Sequence, residues 1–121
     1  MDTLFLEYPK CSTCQKARKW LEDCGAAFDA RHIVEQNPTA AELREWWQRS
    51  GLPLRRFFNT SGMKYRELQL SAKLPQMGEE EQLALLASDG MLVKRPLLIT
   101  RKGVYPGFKA EGWKEMLPEA Y

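Results

Sequence analysis

The chain predicts an α/β fold: a mixed four-stranded sheet assembled as βαβ and then ββα, with an all-helical insertion between the halves. Three observations carry this. A short apolar run, an amphipathic helical stretch and an alternating run follow one another in the first third. Only helical patterns occur from Thr39 to Gly90, and two further strand patterns then flank a short loop ahead of a closing helix.

The first element, Thr3-Leu4-Phe5-Leu6-Glu7-Tyr8, is mostly apolar and closed by Pro9, as a buried central strand would be. From Ser12 to Cys24, the apolar positions Cys14, Ala17, Leu21 and Cys24 recur at helical spacing with Trp20 beside them. Gln15, Lys16, Arg18, Lys19 and Glu22 fill the opposite face, and Gly25 supplies the stop. On this stripe Cys24 reads as a buried structural thiol. Ala27 to Val34 alternates Phe28, Ala30 and His32 against Asp29, Arg31 and Ile33, which suits a second strand, parallel and adjacent to the first through a right-handed crossover.

Asn37-Pro38 interrupts the chain, and Thr39-Ala40-Ala41-Glu42 fits a capping box with Thr39 as N-cap. The helix it starts runs to Ser50, with Leu43, Trp46 and Trp47 at i, i+3 and i+4, and ends at Gly51-Leu52-Pro53. Leu54 to Phe58 and Tyr65 to Leu70 read as short helical pieces. Glu79-Glu80-Glu81 places acid at the start of a helix carrying Leu83, Leu85 and Leu86. Beyond it, Leu97-Leu98-Ile99-Thr100 and Val104-Tyr105 flank Arg101-Lys102-Gly103, a hairpin signal in which Gly103 is available for a positive φ. A last helix carries Trp113, Met116 and Leu117 on one stripe and stops at Pro118. This order is the thioredoxin arrangement, with the first strand central.

At 121 residues the expectation is one domain spanning 1–121, with the helical insertion at about 38–90. Eighteen basic against sixteen acidic residues leave a formal charge of +2, too balanced for direct nucleic-acid binding driven by charge. No apolar run reaches the roughly 18 residues of a membrane span, and Met1-Asp2-Thr3 lacks a signal-peptide pattern, so a cytoplasmic protein is expected. Three cysteines, an odd number, argue for reactive thiols or a metal site over a disulfide framework.

Cys11-Ser12-Thr13-Cys14 lies between a predicted strand and a predicted helix, the context in which CxxC reads as redox chemistry. Cys11 is the expected nucleophile because a helix start offers unpaired amides and a positive dipole end. Lys10, Lys16 and Arg18 add positive charge nearby. Cys14, one turn further in, is placed to resolve a mixed disulfide at Cys11. The amides of Ser12, Thr13 and Cys14 could also cradle an oxyanion. The alternatives are half of a zinc site, for which no second CxxC or His pair exists, and a chance pair; no bound cofactor or metal is expected. Ten residues of one helix separate Cys24 from Cys14, about 15 Å of rise against the less than about 7 Å between α-carbons that a disulfide allows.

Arg95-Pro96 precedes the third strand. A cis peptide there would leave a backbone edge free for substrate opposite the reactive cysteine, with Arg95 as a fixed cation; the alternative is an ordinary strand-initiating proline after a surface arginine. His32, the single histidine, reads as a half-exposed packing residue, and Trp46 and Trp47 as the core and edge of a helix.

Tyr8 to Arg18, Gly51, Lys94-Arg95-Pro96-Leu97-Leu98-Ile99 and Gly107-Phe108-Lys109 together resemble the arsenate reductase/Spx family of thioredoxin-fold proteins over essentially the whole chain. The resemblance implies one of two functions. In glutaredoxin-linked arsenate reductases, the cysteine matching Cys11 attacks arsenate, and glutathione with glutaredoxin removes the adduct. In the Spx branch, CxxC is a disulfide switch on a regulator that binds the RNA polymerase α-subunit.

The chain departs from the reductase pattern at two positions where that enzyme type carries arginines: Asn59, and Phe108 in the late strand region. Each such contact to an oxyanion is worth roughly 1.5–3 kcal/mol. Arg55, Arg56 and Lys109 are candidates to compensate. Many such reductases also lack a second loop cysteine, whereas this chain has Cys14. The expectation is a thiol–disulfide redox protein of arsenate-reductase-like type acting on a small oxyanion or a protein thiol. Cys11, Cys14 and Arg95 would be its catalytic residues, Lys10, Ser12, Thr13 and Pro96 its binding residues, and thioredoxin or glutathione/glutaredoxin its external reductant. The alternative is an Spx-like regulator, against which stands the absence of a basic tail at Glu119-Ala120-Tyr121.

Overall fold

The structure, a computed structural model, describes residues 3–117. The expected stop at Pro118 and the tail Glu119-Ala120-Tyr121 lie outside these residues, as do Met1 and Asp2. The chain forms two compact units, one comprising the segments up to His32 and from Arg95 onward, the other Ile33–Lys94.

The first unit contains the four-stranded mixed sheet. β1 (Leu4–Glu7) pairs in parallel with β2 (Asp29–His32) and antiparallel with β3 (Leu97–Thr100), which pairs antiparallel with β4 (Gly103–Pro106), in the order β2-β1-β3-β4. The order is the thioredoxin-like one, with β1 inside: Phe5 and Leu6 are fully buried and even Glu7 is only 7% exposed. Parallel neighbours require a long crossover, here α1 (Ser12–Asp23). β2 is shorter than its alternating sequence suggests because its only ladder partner, β1, is four residues long; Leu4 faces Asp29 and Glu7 faces His32.

One face of the sheet builds a core from Phe5 and Leu98 with Ala17 and Leu21 of α1 and Trp113 of α6 (Ala110–Met116), against which Trp20, Phe28, Phe108, Met116 and Leu117 pack. Its rings meet edge to face: Phe108 lies 4.9 Å and Phe5 6.0 Å from Trp113, the geometry aromatic quadrupoles favour. The Trp113 indole N–H donates to the Gly107 carbonyl at 2.8 Å, so a fully buried polar group is satisfied. The β3–β4 hairpin corrects one expectation. Gly103 does not adopt a positive φ; it opens β4 opposite Thr100, and a Cβ there would stand 3.2 Å from the Met116 sulfur. Close approach of α6, not turn geometry, is what its missing side chain serves.

The second unit has no named strand among its described residues. It contains α2 (Ala40–Ser50), α3 (Met63–Glu67), α4 (Leu70–Lys73) and α5 (Glu79–Ser88), with short 3-10 turns at Leu54–Phe57, Leu74–Gln76 and Gly90–Leu92. The capping box is present: the Glu42 amide donates to Thr39 Oγ1 at 3.1 Å, and the Thr39 amide to Glu42 Oε1 at 3.0 Å. Gly51 ends α2 at φ 68°. Leu43 and Trp46 are buried, as are Leu83 and Leu86 of α5, which packs on α2. Trp47 lies at the edge, its indole N–H donating to the Leu52 carbonyl at 2.9 Å. Phe58 and Val93 form an isolated bridge. Among the described residues, no helix is long and apolar enough to cross a membrane.

Candidate redox site

Pro9 and Lys10 carry the chain from the end of β1 into α1, and Cys11 is the N-cap of that helix with extended backbone (φ −82°, ψ 122°). The Cys11 amide donates to the Tyr8 carbonyl at 2.9 Å, and the Cys11 carbonyl accepts the Gln15 amide at 3.0 Å. The loop is thereby fixed while the Cys11 sulfur remains partly accessible.

Burial alone would raise the Cys11 thiol. The Cys14 amide, the Cys14 thiol, the Thr13 amide and the Arg95 side chain, all bonded to its sulfur, outweigh burial and hold its pKa below the ordinary thiol value. Two of the three loop amides expected to cradle an anion, those of Thr13 and Cys14, are thus directed at Cys11. Cys14 is fully buried, one turn inside the helix, and accepts the Tyr8 amide at 3.5 Å. Burial foremost, then the hydrogen bond to and charge of Cys11, push its thiol up to about 12, against the lowering effect of the Tyr8 amide and Arg95.

Arg95 and Pro96 are joined by a cis peptide, and Pro96 is buried. The Arg95 guanidinium reaches Cys11 and lies 4.9 Å from the Tyr8 ring centroid. The other basic residues expected near Cys11 behave differently. Arg18 is bonded to the carboxylate of Glu7, lies 5.8 Å from the Phe5 and Phe28 ring centroids, and has its pKa raised chiefly by that Glu7 bond. It anchors α1 to β1. Lys10 and Lys16 are exposed, as are Ser12 and Thr13.

The placement of Cys24 corrects the sequence reading. It is exposed at the C-cap of α1, which ends at Asp23, and Gly25 at φ 70° then turns the chain away; the buried stripe of the helix ends at Leu21. His32 is half-buried as expected, edge-on to Tyr8 at 5.8 Å.

Phe108 occupies its position as a packing residue among Trp20 and Trp113. Asn59 is tied within the second unit, its amide donating to the Leu92 carbonyl at 2.8 Å. Arg55 and Arg56 line a cavity of about 930 Å³ in that unit, together with Trp47, Tyr65 and Lys94. Lys109 is the exposed N-cap of α6. Among the described residues, no group of three or more His, Cys, Asp or Glu side chains is gathered to hold a metal ion.

Sequence reasoning did not single out Tyr8 or Glu7. Tyr8 meets Cys11, Cys14 and Arg95, and Glu7 anchors Arg18. A buried acid at the end of a central strand was the one available signal for Glu7. Tyr8 offered none, because Arg95 is distant in sequence.

Sheet order and helix placement make this a thioredoxin-like protein with a CxxC pair at the start of its first helix. The chain belongs to the ArsC family, whose sequence profile matches residues 6–116. It is 58% identical to a Bacteroides fragilis protein of known structure described as ArsC family related, with 96% and 98% of the two chains covered and a TM-score of 0.93. A structure from Streptococcus mutans described as a possible arsenate reductase is 47% identical, at 89% and 92% coverage and a TM-score of 0.84. Among relatives by sequence, the uncharacterized protein YusI of Bacillus subtilis is 55% identical over 95% of this chain and 98% of its own. The regulatory protein MgsR of the same organism is 28% identical over 86% and 81%.

Proposed function

We propose that the chain is a thiol–disulfide redox protein of the arsenate-reductase-like type, with Cys11 as nucleophile, Cys14 as resolving thiol and Arg95 as the cation over the reacting sulfur. The observation that carries this reading is the placement of two cysteines one helical turn apart: Cys11 at the N-cap, partly accessible and with its pKa lowered by the amides of Cys14 and Thr13 and by Arg95, and Cys14 fully buried with its pKa pushed up to about 12. On a disulfide substrate, the Cys11 thiolate displaces one sulfur as thiolate and forms a mixed disulfide. Cys14 loses its proton to solvent and attacks Cys11, expelling the second substrate sulfur and leaving a Cys11–Cys14 disulfide. Two electrons pass to the substrate, and thioredoxin, or glutathione with glutaredoxin, returns them. With arsenate, Cys11 displaces water to give a thiol–arsenate adduct, and attack by Cys14 releases arsenite with the same disulfide. Lys10, Ser12, Thr13 and Pro96 would border the substrate. We infer the cytoplasm as the compartment, since such reductants keep thiols reduced there.

An NADPH-coupled assay tests the reading with arsenate and with a model protein disulfide, each under the thioredoxin and the glutaredoxin systems. Turnover lost in Cys11→Ser is expected with at least one pair. Mild peroxide should also produce a Cys11–Cys14 disulfide by mass spectrometry; no turnover and no disulfide would sink the proposal. The similarity to a regulatory protein favours a second reading, a redox switch that binds the RNA polymerase α-subunit. Redox-dependent capture of purified α-subunit without turnover in any assay would select it.

A further inference from the structure

We propose that Tyr8 is a positioning residue of this site, its ring holding the Arg95 guanidinium against the Cys11 sulfur. The geometry comes from three directions. The guanidinium carbon lies 4.9 Å from the Tyr8 ring centroid, within the distance at which a cation is attracted to an aromatic face. The same ring is braced edge-on by His32, at 5.8 Å and 88° between planes. The Tyr8 backbone is committed to the two cysteines, its carbonyl accepting the Cys11 amide at 2.9 Å and its amide donating to the Cys14 sulfur at 3.5 Å.

One residue thus fixes the relative position of both thiols through its main chain and of the arginine through its side chain. An arginine side chain has several rotatable bonds, and a flat aromatic surface restricts it to the plane in which its donors face the thiolate. The charged and titratable groups around Tyr8 are Arg95 ahead of β3, His32 at the end of β2, Cys11 at the N-cap of α1 and Cys14 within it; Glu7, next to Tyr8 in the chain, is paired with Arg18. The proposal rests on Cys11 being the nucleophile, but its test requires neither substrate nor reductant.

The measurement is the pH profile of Cys11 alkylation by iodoacetamide, followed by mass spectrometry in the full chain. Tyr8→Phe keeps the ring and should retain the wild-type profile. Tyr8→Leu should shift the profile to higher pH and slow alkylation below the midpoint by about two- to fivefold, the range a partly exposed cation–aromatic contact supports. In an Arg95→Met background, Tyr8→Leu should change nothing further. A wild-type profile in Tyr8→Leu, or an undiminished effect in the Arg95→Met background, overturns the proposal. Should Tyr8→Leu not fold, Tyr8 replaced by trifluorophenylalanine keeps the shape while weakening the ring's negative face, and must show the same shift. An unshifted wild-type Cys11 would refute the proposed function itself, whereas a shifted Cys11 insensitive to the ring refutes only the role of Tyr8.

Discussion

The Cys14 thiol donates to the Cys11 sulfur, and this single contact makes Cys11 more acidic and Cys14 less so. The effect is self-relieving. Once Cys11 is bonded to another sulfur its negative charge is gone, and two of the causes that raise Cys14 disappear with it. Burial remains, so Cys14 becomes more acidic only after its partner has reacted.

Replacing Cys14 by Ala should move the Cys11 titration toward the ordinary thiol value, because the variant removes a sulfur donor while leaving the backbone amide at position 14 in place. Thiolate absorbance in the far ultraviolet as a function of pH reads this directly. Cys14→Ser, which keeps a hydroxyl donor, should shift it less.

Stability of the reduced protein should pass through a maximum on the alkaline side. Cys11 is more acidic folded than unfolded, so the unfolded chain binds more protons in that window, and stability rises from the folded Cys11 value up to the ordinary thiol value of about 8.5. Cys14 acts with the opposite sign. Folded, it stays protonated up to about 12 while the unfolded chain has ionised, so stability falls between the ordinary value and that point. Urea midpoints across pH should lose the rising limb in Cys11→Ser and the Cys14 part of the falling limb in Cys14→Ala.

Arg18→Met should destabilise the protein by roughly 2 kcal/mol, since it leaves the buried Glu7 carboxylate without its partner; the half-exposed arginine holds the loss below the 3–5 kcal/mol of a fully buried pair. Adding Glu7→Gln should recover part of the loss in a urea titration, and a purely additive double variant would deny the coupling.

Thr39→Ala removes one half of the capping box and should cost about 1 kcal/mol by the same measurement, while leaving Cys11 alkylation unchanged.

The sheet order was legible because each strand and helix announces itself over a few residues: Leu4–Leu6 as an apolar run, Thr39 and Glu42 as a cap, Leu97–Thr100 beside a short turn. Cys11 was legible as an N-cap for the same local reason. What failed depends on where an element stops or on what lies across the fold. The stripe that predicts Cys24 buried is correct through Leu21, yet Cys24, still helical in its dihedrals and bonded to the Trp20 carbonyl, is exposed at the C-cap: periodicity gives the direction a side chain faces and not whether anything lies opposite the end of the helix. Gly103 carries a turn residue's sequence signal, but its role is set by Met116. The pieces between Leu54 and Gln76 are single turns, too short for periodicity to delimit. The rings that hold Arg18, and the tyrosine beneath Arg95, become partners only through the sheet register.

Exposed Cys24 leaves the chain one accessible sulfhydryl that closure of the Cys11–Cys14 couple would not consume. A colorimetric thiol titration of fully oxidised chain should therefore read one equivalent per chain and not zero. An oxidant in excess can join two chains through that atom, giving a covalent dimer on a non-reducing gel that reports surface chemistry and not the state of the site. Cys24→Ser separates the two, and in the opposite use the same sulfur is a single handle for a fluorophore on the oxidised chain.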